Sequence, residues 1–472
     1  MPQTKPQLIR GLTFSATTAL VVGSVIGTGV FLKAAVMAQL VPIPLTVVGA
    51  WLGAGVLSIA GVLVYAELGA LFPQAGGEYV YLREAYGNAV AFCYGWMRFV
   101  VGSTGVIAGM AVGFATFTSP FLGSSTVWVR HDFTLFGQLV HWKFGSQQLV
   151  AVSAIIIVSA VNCVGVVFGG RIQTFLTVLK IIGIAVITIG VFTYSRSATW
   201  KHLTTSEGVG SWTGFSAFGT AMLSALWAYN GWNQVPMAAG EVRDPERSLP
   251  RALITGILIV TFLYLIVNVA YFFALPIGEI LRSSSTKYPE ALPVATKAAQ
   301  TFLGARGVRL VSIVFIVSTL GALHSAVLSC ARVPFAMARD GLFFKSIGML
   351  SESTQVPMLS IVAQAIWSCV LAASGTFDQL TDYVMFASWI FYGLVTSSIF
   401  VFRRKRPEAR RPYKTLGYPV VPIVFVVVSF WLVLNTLMTR PLESLTGLCL
   451  TFCGLPLYVH FRRRNSFNQP TT

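Results

Sequence analysis

The stretch GSVIGTGVF, Gly23 to Phe31, places three glycines, a serine and a threonine inside the first long apolar run of the chain. Glycine weakens a regular helix because it loses more backbone freedom on folding than any other residue. In a membrane helix, such a cluster is often only a surface for close helix packing. The alternative is that the helix is interrupted there, and the rest of the sequence decides between the two.

The composition identifies the class of protein. Hydrophobic residues make up 55% of the 472 residues and charged residues only 10%, which is typical of a chain that crosses a membrane many times. Apolar runs of about 20 residues, the length needed to cross a bilayer, predict an all-α polytopic membrane protein with twelve transmembrane helices. These spans are expected near residues 13–33, 43–71, 89–120, 148–168, 172–194, 214–240, 252–276, 309–338, 357–374, 379–402, 419–438 and 442–460.

The basic residues predict the orientation of the chain. Cytoplasmic connections carry an excess of Lys and Arg, and 20 of the 33 basic residues fall on the side of the N-terminus, against 11 on the other side. Both termini are therefore predicted to be cytoplasmic. The net charge of +17 has this topological explanation, and the run RRKRPEARRPYK is expected to lie beside anionic lipid of the bilayer. No nucleic-acid partner is expected.

Other features argue against an enzyme. All six cysteines fall inside predicted spans and have no metal-ligand spacing, so neither a metal site nor a disulfide framework is expected. The chain contains no phosphate-loop motif. The longest connections, 121–147, 195–213 and 277–308, leave no room for a separate catalytic domain. We therefore expect no catalytic residues and no cofactor.

A second interruption lies in the sixth predicted span. The stretch LWAYNGWNQVP, Leu226 to Pro236, contains two asparagines, a glutamine, a glycine and a proline. Because the sixth span follows the first by five spans, the two interruptions occupy corresponding places in two repeats. This pattern indicates a secondary transporter with inverted repeats and a site at the middle of the membrane. The repeats are predicted at 13–194 and 214–402, followed by two additional helices at 419–460.

The interruptions also indicate the ligand. Irregular backbone persists in a membrane only where it faces protein, water or a ligand. Amides at the start of a half-helix bind a carboxylate with the help of the helix dipole, whereas carbonyls at the end of a half-helix attract a cation. We therefore expect an α-amino acid, which carries both charges, to bind at the breaks.

At these residues the chain resembles the amino acid–polyamine–organocation (APC) superfamily, and most closely its L-type amino acid transporters and their prokaryotic relatives. The resemblance covers nearly the whole chain. It is carried by GSVIGTGVF and by four further stretches, which are Tyr65 to Gly87, Trp227 to Leu253, Ala331 to Phe344 and Phe402 to Lys414. It implies a LeuT-type 5+5 inverted repeat in which helices 1 and 6 are broken.

The resemblance also implies the substrate-binding residues. Trp227 would be an aromatic gate over the substrate. The neutral Asn230 stands where a relative that handles cationic substrates can carry an acid, which favours neutral amino acids. The implied set is Ser24, Val25, Ile26, Gly27, Thr28, Gly29, Trp227, Ala228, Tyr229 and Asn230.

Lys180 lies in the middle of the fifth span, where a lysine costs about 2.5–3.5 kcal/mol on insertion scales unless it finds a partner. In the superfamily, a fifth-span lysine can replace a coupling sodium ion among first-span carbonyls and eighth-span hydroxyls, for which Ser318 and Thr319 are the candidates. Lys180 is either a titrating group or a permanent structural cation. His324 is either a hydrogen-bonded structural residue or a proton-coupling site.

Two acids, Glu67 and Glu241, lie near the cytoplasmic ends of the second and sixth spans. Each is expected to pair with a loop arginine such as Arg83 or Arg251. A pair that joins the two repeats would also serve as an inner gate that breaks when the site opens inward.

The connection 121–147 bears on the partners. Eukaryotic relatives are joined to a single-span partner through a cysteine in the third external loop, but 121–147 contain none. No disulfide-linked heavy chain is therefore expected. Together with the absence of long glycosylated external loops, this favours a prokaryotic plasma (inner) membrane; the oligomeric state stays open.

The sequence thus predicts a secondary transporter of neutral L-amino acids, with exchange as the expected mode and proton-coupled symport as the alternative. Cationic amino acids or polyamines fit less well, because the predicted pocket contains no acid. A channel would need a continuous polar lining that the spans do not provide. A sensor that binds an amino acid without moving it would share the same motifs.

Overall fold

The computed structural model describes residues 7–122, 126–135, 138–205, 214–285, 287–288, 290–374, 377–439 and 441–466. Residues 206–213 of the connection 195–213 lie outside this part of the chain. The α-helices are α1 (Phe14–Val25), α2 (Gly29–Leu40), α3 (Pro44–Leu71), α4 (Glu78–Tyr86), α5 (Asn88–Met97), α6 (Ser103–Leu122), α7 (Ser146–Val164), α8 (Val166–Tyr194), α9 (Lys201–Thr204), α10 (Phe215–Tyr229), α11 (Pro245–Ala274), α12 (Ile277–Leu281), α13 (Val294–Leu303), α14 (Arg306–Cys330), α15 (Arg332–Arg339), α16 (Met358–Ser374), α17 (Phe377–Lys405), α18 (Val420–Thr439), α19 (Pro441–Phe452) and α20 (Leu455–Ser466).

Shorter elements complete the backbone. A π-helical turn, Arg98–Gly102, joins α5 to α6. Segments of 3₁₀ helix cover Trp232–Glu241 and Lys345–Gly348. The strands β1 (Val127–Leu135) and β2 (Gln138–Gly145) form one antiparallel pair.

Ten helical segments in the described residues are at least 18 residues long and apolar enough to cross a membrane. They coincide with ten of the twelve predicted spans. The remaining two predictions fall on shorter pieces. The predicted span 214–240 corresponds to α10 and the 3₁₀ helix that follows it, and 357–374 corresponds to the 17-residue α16. The total of twelve stays a prediction.

The helices differ in how deeply they are buried. Within the most apolar window, 83% of the first span is buried inside the protein, but only 22% of α18. The broken first span is therefore central, and α18 is peripheral. Along α8, Phe175, Ile182 and Ile189 are each more than half exposed on one face. An apolar stripe of this kind suits contact with lipid chains.

The central helices bring the two interrupted segments together. Helix α1 packs against α8, α11 and α14, while α10 packs against α2 and α3. The long helix α11 also packs along α3. The two breaks are thus enclosed by regular helices on most sides.

Two predicted boundaries are wrong. The first helical segment continues to Leu40, beyond the predicted end at residue 33. The fourth and fifth spans meet at Gly165, whose φ is +150°, and not in a loop at residues 169–171. The sequence VGVVFGG offers several glycines, and only Gly165 adopts a backbone conformation that ends the helix.

The all-α class is also wrong in one respect, because β1 and β2 form a hairpin within the predicted connection 121–147. Register pairs such as Arg130 with Lys143 and Val129 with Phe144 define it. β-branched and aromatic residues fit a strand, while the charged residues among them prevent a membrane span. The Trp142 indole donates to the Ala373 carbonyl at 2.9 Å, which ties the hairpin to the end of α16.

Candidate functional site

The first break separates α1 from α2. Helix α1 ends at Val25, the Ile26 amide donates to the Val22 carbonyl at 2.9 Å, and α2 begins at Gly29. The amides from Gly27 onward therefore come before the first hydrogen bond within α2, and a helix does not satisfy its own first amides. These donors sit at the positive end of the α2 dipole, which suits an anionic group.

The second break follows α10. Asn230 is extended, Gly231 has a φ of +134°, and the chain then tightens into a 3₁₀ helix that contains Pro236. Only glycine adopts such a φ without strain. Gly231 also lies against the first break, because a Cβ placed on it would be 2.5 Å from the Ser24 carbonyl oxygen.

Two side chains join the breaks. The Ser24 hydroxyl lies 3.1 Å from the Gly231 carbonyl oxygen. The Tyr264 hydroxyl on α11 lies 2.9 Å from the carbonyl oxygens of both Val25 and Ala228. The ends of the two half-helices α1 and α10 are therefore held together by direct polar contacts.

A cavity lies between the breaks. Its free volume is about 20 Å³, close to the space that a single water needs. The Met110 side chain narrows it, since its terminal carbon is only 2.9 Å from where a Cβ on Gly27 would lie. The lining residues are Ser24, Val25, Gly27, Thr28, Gly29, Val106, Gly109, Met110, Trp227, Ala228, Asn230, Gln234 and Ala322.

Eight of the ten predicted substrate residues line this cavity, and Ile26 and Tyr229 do not. Ile26 is fully buried, and its carbonyl accepts hydrogen bonds from the Lys180 ammonium and the Ser318 hydroxyl. Tyr229 packs against the rings of Trp51 and Tyr264. The sequence did not predict that α6 and α14 form walls of the cavity. Met110 and Ala322 lie on regular helices, and no break in the helix beside them marks a binding site.

The cavity lining contains no acidic or basic side chain among the described residues. It does contain polar atoms that lack partners. The hydroxyl of Thr28 and the side-chain oxygen of Gln234 are buried without a hydrogen bond to any described residue. Such atoms are costly to bury unless a ligand or water satisfies them. The cavity therefore offers uncharged polar atoms to a ligand or to water.

Lys180 lies directly behind the first break and is fully buried. Its ammonium donates to the carbonyls of Gly23 at 3.0 Å, Ile26 at 2.7 Å and Ser318 at 3.0 Å. The expected hydroxyl ligands are wrong, since Ser318 offers its carbonyl and Thr319 bonds to carbonyls of its own helix. The lysine satisfies carbonyls that the end of α1 leaves free, which explains how it is tolerated.

The Ser318 hydroxyl supports the same region by reaching the carbonyl oxygens of Ile26 at 3.1 Å and Gly27 at 3.0 Å. His324 lies six residues further along α14. Its Nδ1 is hydrogen-bonded to the side-chain oxygen of Gln173 at 3.1 Å. Its Nε2 is buried without a partner among the described residues. His324 and Lys180 therefore border the same interface between α8 and α14.

Ion pairs close the end of the protein where α4 lies. Glu241 is paired with Arg332 at 2.7 and 2.8 Å, and both side chains are at most 1% exposed. Glu67 is paired with Arg403 at 2.8 Å and lies 3.5 Å from Arg411.

The expected partners Arg83 and Arg251 are wrong. Arg83 contacts Asp340 and Glu84, and Arg251 is exposed on α11. The actual partners come from α15 and α17 and from the segment after it, which are distant in sequence, so only the tertiary fold selects them.

Sequence reasoning also missed Glu78, a fully buried acid at the start of α4. Its carboxylate accepts hydrogen bonds from Tyr65 at 2.5 Å, from Tyr94, and from the Asn233 amide at 3.1 Å. Burial raises the pKa of the Glu78 carboxyl, although Arg98 and these donors act in the opposite direction. Glu78 thereby ties α3 and α5 to the segment after the second break.

The chain is similar to known amino acid transporters over nearly its full length. The sequence matches the amino acid permease family over residues 12–453. It is 31% identical to the serine/threonine exchanger SteT of Bacillus subtilis (strain 168), over 97% of this chain and 97% of that protein. It is 29% identical to the human b(0,+)-type amino acid transporter 1, over 94% and 87%. It is 26% identical to the human cystine/glutamate transporter, over 97% and 86%.

These matches agree with the predicted superfamily and with the ten apolar helices. The chain therefore belongs to the amino acid permease family of the APC superfamily, as a multi-pass membrane protein that transports amino acids and is not an enzyme.

Proposed function

We propose that the protein exchanges small neutral L-amino acids across a prokaryotic plasma membrane, by alternating access around the cavity between the two breaks. Both termini are cytoplasmic in this proposal, so the α4 end of the protein faces the cytoplasm. The repeats at 13–194 and 214–402 are the units that move relative to each other, and the helices at 419–460 are peripheral. The similarity to a serine/threonine exchanger supports exchange of small substrates.

The observation that carries the proposal is the uncharged cavity between two half-helix ends. The substrate carboxylate binds the amides from Gly27 to Gly29 at the start of α2. The substrate ammonium binds the carbonyls that end α1 and α10. The side chain then faces Met110 and Asn230, where no charge is present to balance a cationic or anionic group.

The narrow cavity supports alternating access. A free volume of about 20 Å³ is too small for an amino acid, so the walls must separate to admit one. At the α4 end, the Glu67–Arg403 pair links the first repeat to the end of the helix that closes the second, whereas the Glu241–Arg332 pair lies within the second repeat. Breaking the Glu67–Arg403 pair is the step that opens the inner side, and the substrate biases this equilibrium through its different affinity for the two states.

The proposal is tested in proteoliposomes that contain the purified protein. Labelled serine, threonine, alanine and leucine are offered outside, with or without unlabelled amino acid inside. Exchange predicts uptake that requires internal substrate and ignores a proton gradient. Binding without any counterflow would identify a sensor, and conductance far above transporter rates in a planar bilayer would identify a channel. Either result would refute the proposal.

Proton-coupled symport is the second candidate. The supporting observation is that, among the described residues, Lys180 has no ion pair and Nε2 of His324, at the same interface of α8 and α14, has no hydrogen-bond partner. A buried amine without an acid beside it is a group that can release its proton. Uptake into vesicles without internal substrate, increased by an inward proton gradient, would establish symport in place of exchange.

We also propose that the protein needs no disulfide-linked heavy chain, because no cysteine occurs in the sequence of the connection 121–147. The purified single chain should therefore be sufficient for counterflow. A requirement for a second polypeptide would contradict this part of the proposal.

A further inference from the structure

Gln234 lies in the 3₁₀ helix that follows the second break. Its backbone amide donates to the Gly231 carbonyl at 3.0 Å, which keeps this turn close to the break. The Gln234 side chain lines the cavity and is only 2% exposed. Its oxygen accepts no hydrogen bond from any described residue. A buried amide oxygen of this kind is costly unless a ligand or a water supplies a donor.

The cavity lining includes four hydroxyl or amide side chains among the described residues. The Ser24 hydroxyl is hydrogen-bonded to the second break at 3.1 Å. The side-chain oxygen of Asn230 accepts a hydrogen bond from the Tyr392 hydroxyl at 3.1 Å. Thr28 directly precedes α2, so its hydroxyl lies with the amides that bind the carboxylate in the proposed function. Gln234 is therefore the side chain that remains for the rest of the ligand.

The unpaired oxygen of Gln234 limits the chemistry of the ligand. The oxygen is an acceptor, so the ligand must bring a donor. A substrate carboxylate has no donor, and in the proposed function the substrate ammonium is bound by the carbonyls that end α1 and α10. The donor must then come from the substrate side chain. A hydroxyl is a small uncharged donor, which suits a cavity that Met110 narrows.

We propose that Gln234 is a specificity-determining residue whose side-chain oxygen accepts a hydrogen bond from a hydroxyl on the substrate side chain. The protein then prefers serine and threonine to amino acids of the same size with alkyl side chains. This inference rests on the proposed exchange of neutral amino acids and names their class. A methyl group in place of the hydroxyl leaves the buried oxygen unpaired, which weakens binding by about tenfold.

The test compares amino acids that differ only in a hydroxyl against a methyl group. Serine is paired with 2-aminobutyrate and threonine with valine. Each is an unlabelled inhibitor of the counterflow of labelled alanine by the full-length protein in proteoliposomes. In the wild type, the inhibition constant of the hydroxyl member should be about tenfold lower in each pair. Gln234→Met removes the amide at similar side-chain length and should bring both ratios to about one.

Gln364→Met is the matched control. Gln364 lies on α16, is only 1% exposed and has an unpaired amide nitrogen, but it does not line the cavity. Both ratios should keep their wild-type values in this variant. A change equal to that in Gln234→Met would mean that the loss of any buried amide alters the ratios, and the inference would be refuted.

Gln234→Asn separates recognition from folding. It withdraws the amide by one methylene group, so serine should lose its advantage over 2-aminobutyrate. Homoserine reaches further into the cavity and should gain an advantage over norvaline, which has a methyl group in place of its hydroxyl. A residue that only supports the fold would not transfer the preference to a longer substrate.

The outcomes separate the inference from the function on which it rests. If the wild type shows no counterflow of neutral amino acids, the proposed function fails, and the inference fails with it. If it exchanges them but binds both members of each pair equally, the inference alone is refuted. An equal loss for both members in Gln234→Met would also refute it, because Gln234 would then act on the main chain of the substrate. Should Gln234→Met fail to fold, Gln234→Asn decides, and wild-type ratios for the serine and homoserine pairs would overturn the inference.

Discussion

Replacing Gly231 by alanine should push the two broken helices apart. The added Cβ would lie 2.5 Å from the Ser24 carbonyl oxygen and 2.7 Å from its carbon, whereas ordinary contacts begin at 3.4 Å. The backbones must therefore separate by roughly 0.9 Å, the difference between 3.4 and 2.5 Å. The φ of +134° adds strain, of order 1–3 kcal/mol, and the overlap adds about 1–3 kcal/mol more.

The displacement should impair transport as well as stability. A misplacement of about 1 Å in a site that must fit its ligand can reduce a rate about 100-fold, and the Ser24 contact is part of the cavity wall. We expect Gly231→Ala to lose about 2–6 kcal/mol of stability and about 100-fold in the initial rate of counterflow. Thermal unfolding of the purified protein in detergent and counterflow in proteoliposomes measure the two effects.

Gly165→Ala is the matched control. Gly165 also has a positive φ, +150°, but an added Cβ would have no neighbour within 4 Å. It should show the backbone strain without loss of transport. The reasoning would be refuted by wild-type counterflow in Gly231→Ala, or by an equal loss of transport in Gly165→Ala.

Three further perturbations test other parts of the site. Glu241→Gln leaves the Arg332 guanidinium buried without its acid, so the free energy of unfolding should fall by about 3–5 kcal/mol, seen as a lower melting temperature. Adding Arg332→Met should recover part of this loss, and no recovery would mean that the two residues are not coupled. Lys180→Met removes the donor to three carbonyls and should abolish counterflow while gel filtration still shows folded protein; retained counterflow would make the lysine dispensable. Met110→Ala enlarges the cavity, so leucine should compete better relative to serine, and an unchanged ratio in competition assays would place the side-chain pocket elsewhere.

The breaks were predictable because their cause is local. Gly27, Gly231 and Pro236 weaken a helix whatever surrounds them, and their corresponding places in the first and sixth spans predict the interruptions. The same holds for Lys180, whose charge in a span demands a partner. Its carbonyl partners follow from the break beside it, whereas the expected hydroxyl contacts did not form.

The remainder of the site depends on tertiary packing. Arg332 is selected over Arg251 as the partner of Glu241 because α15 reaches the end of the 3₁₀ segment, which no sequence spacing encodes. Met110 forms a cavity wall only because α6 turns this face toward the first break. Glu78 gave no signal either, since an acid at the start of a short helix is ordinarily a surface residue.

The Tyr264 hydroxyl carries one hydrogen, yet it lies 2.9 Å from two carbonyl oxygens, Val25 in one half of the site and Ala228 in the other. The two carbonyls therefore compete for a single donor, because one proton cannot form full hydrogen bonds to both acceptors at once. An ammonium group brings three donors and corrects the deficit. The ligand is thus expected to complete a shared junction, so that binding at one half-helix end cannot be separated from binding at the other.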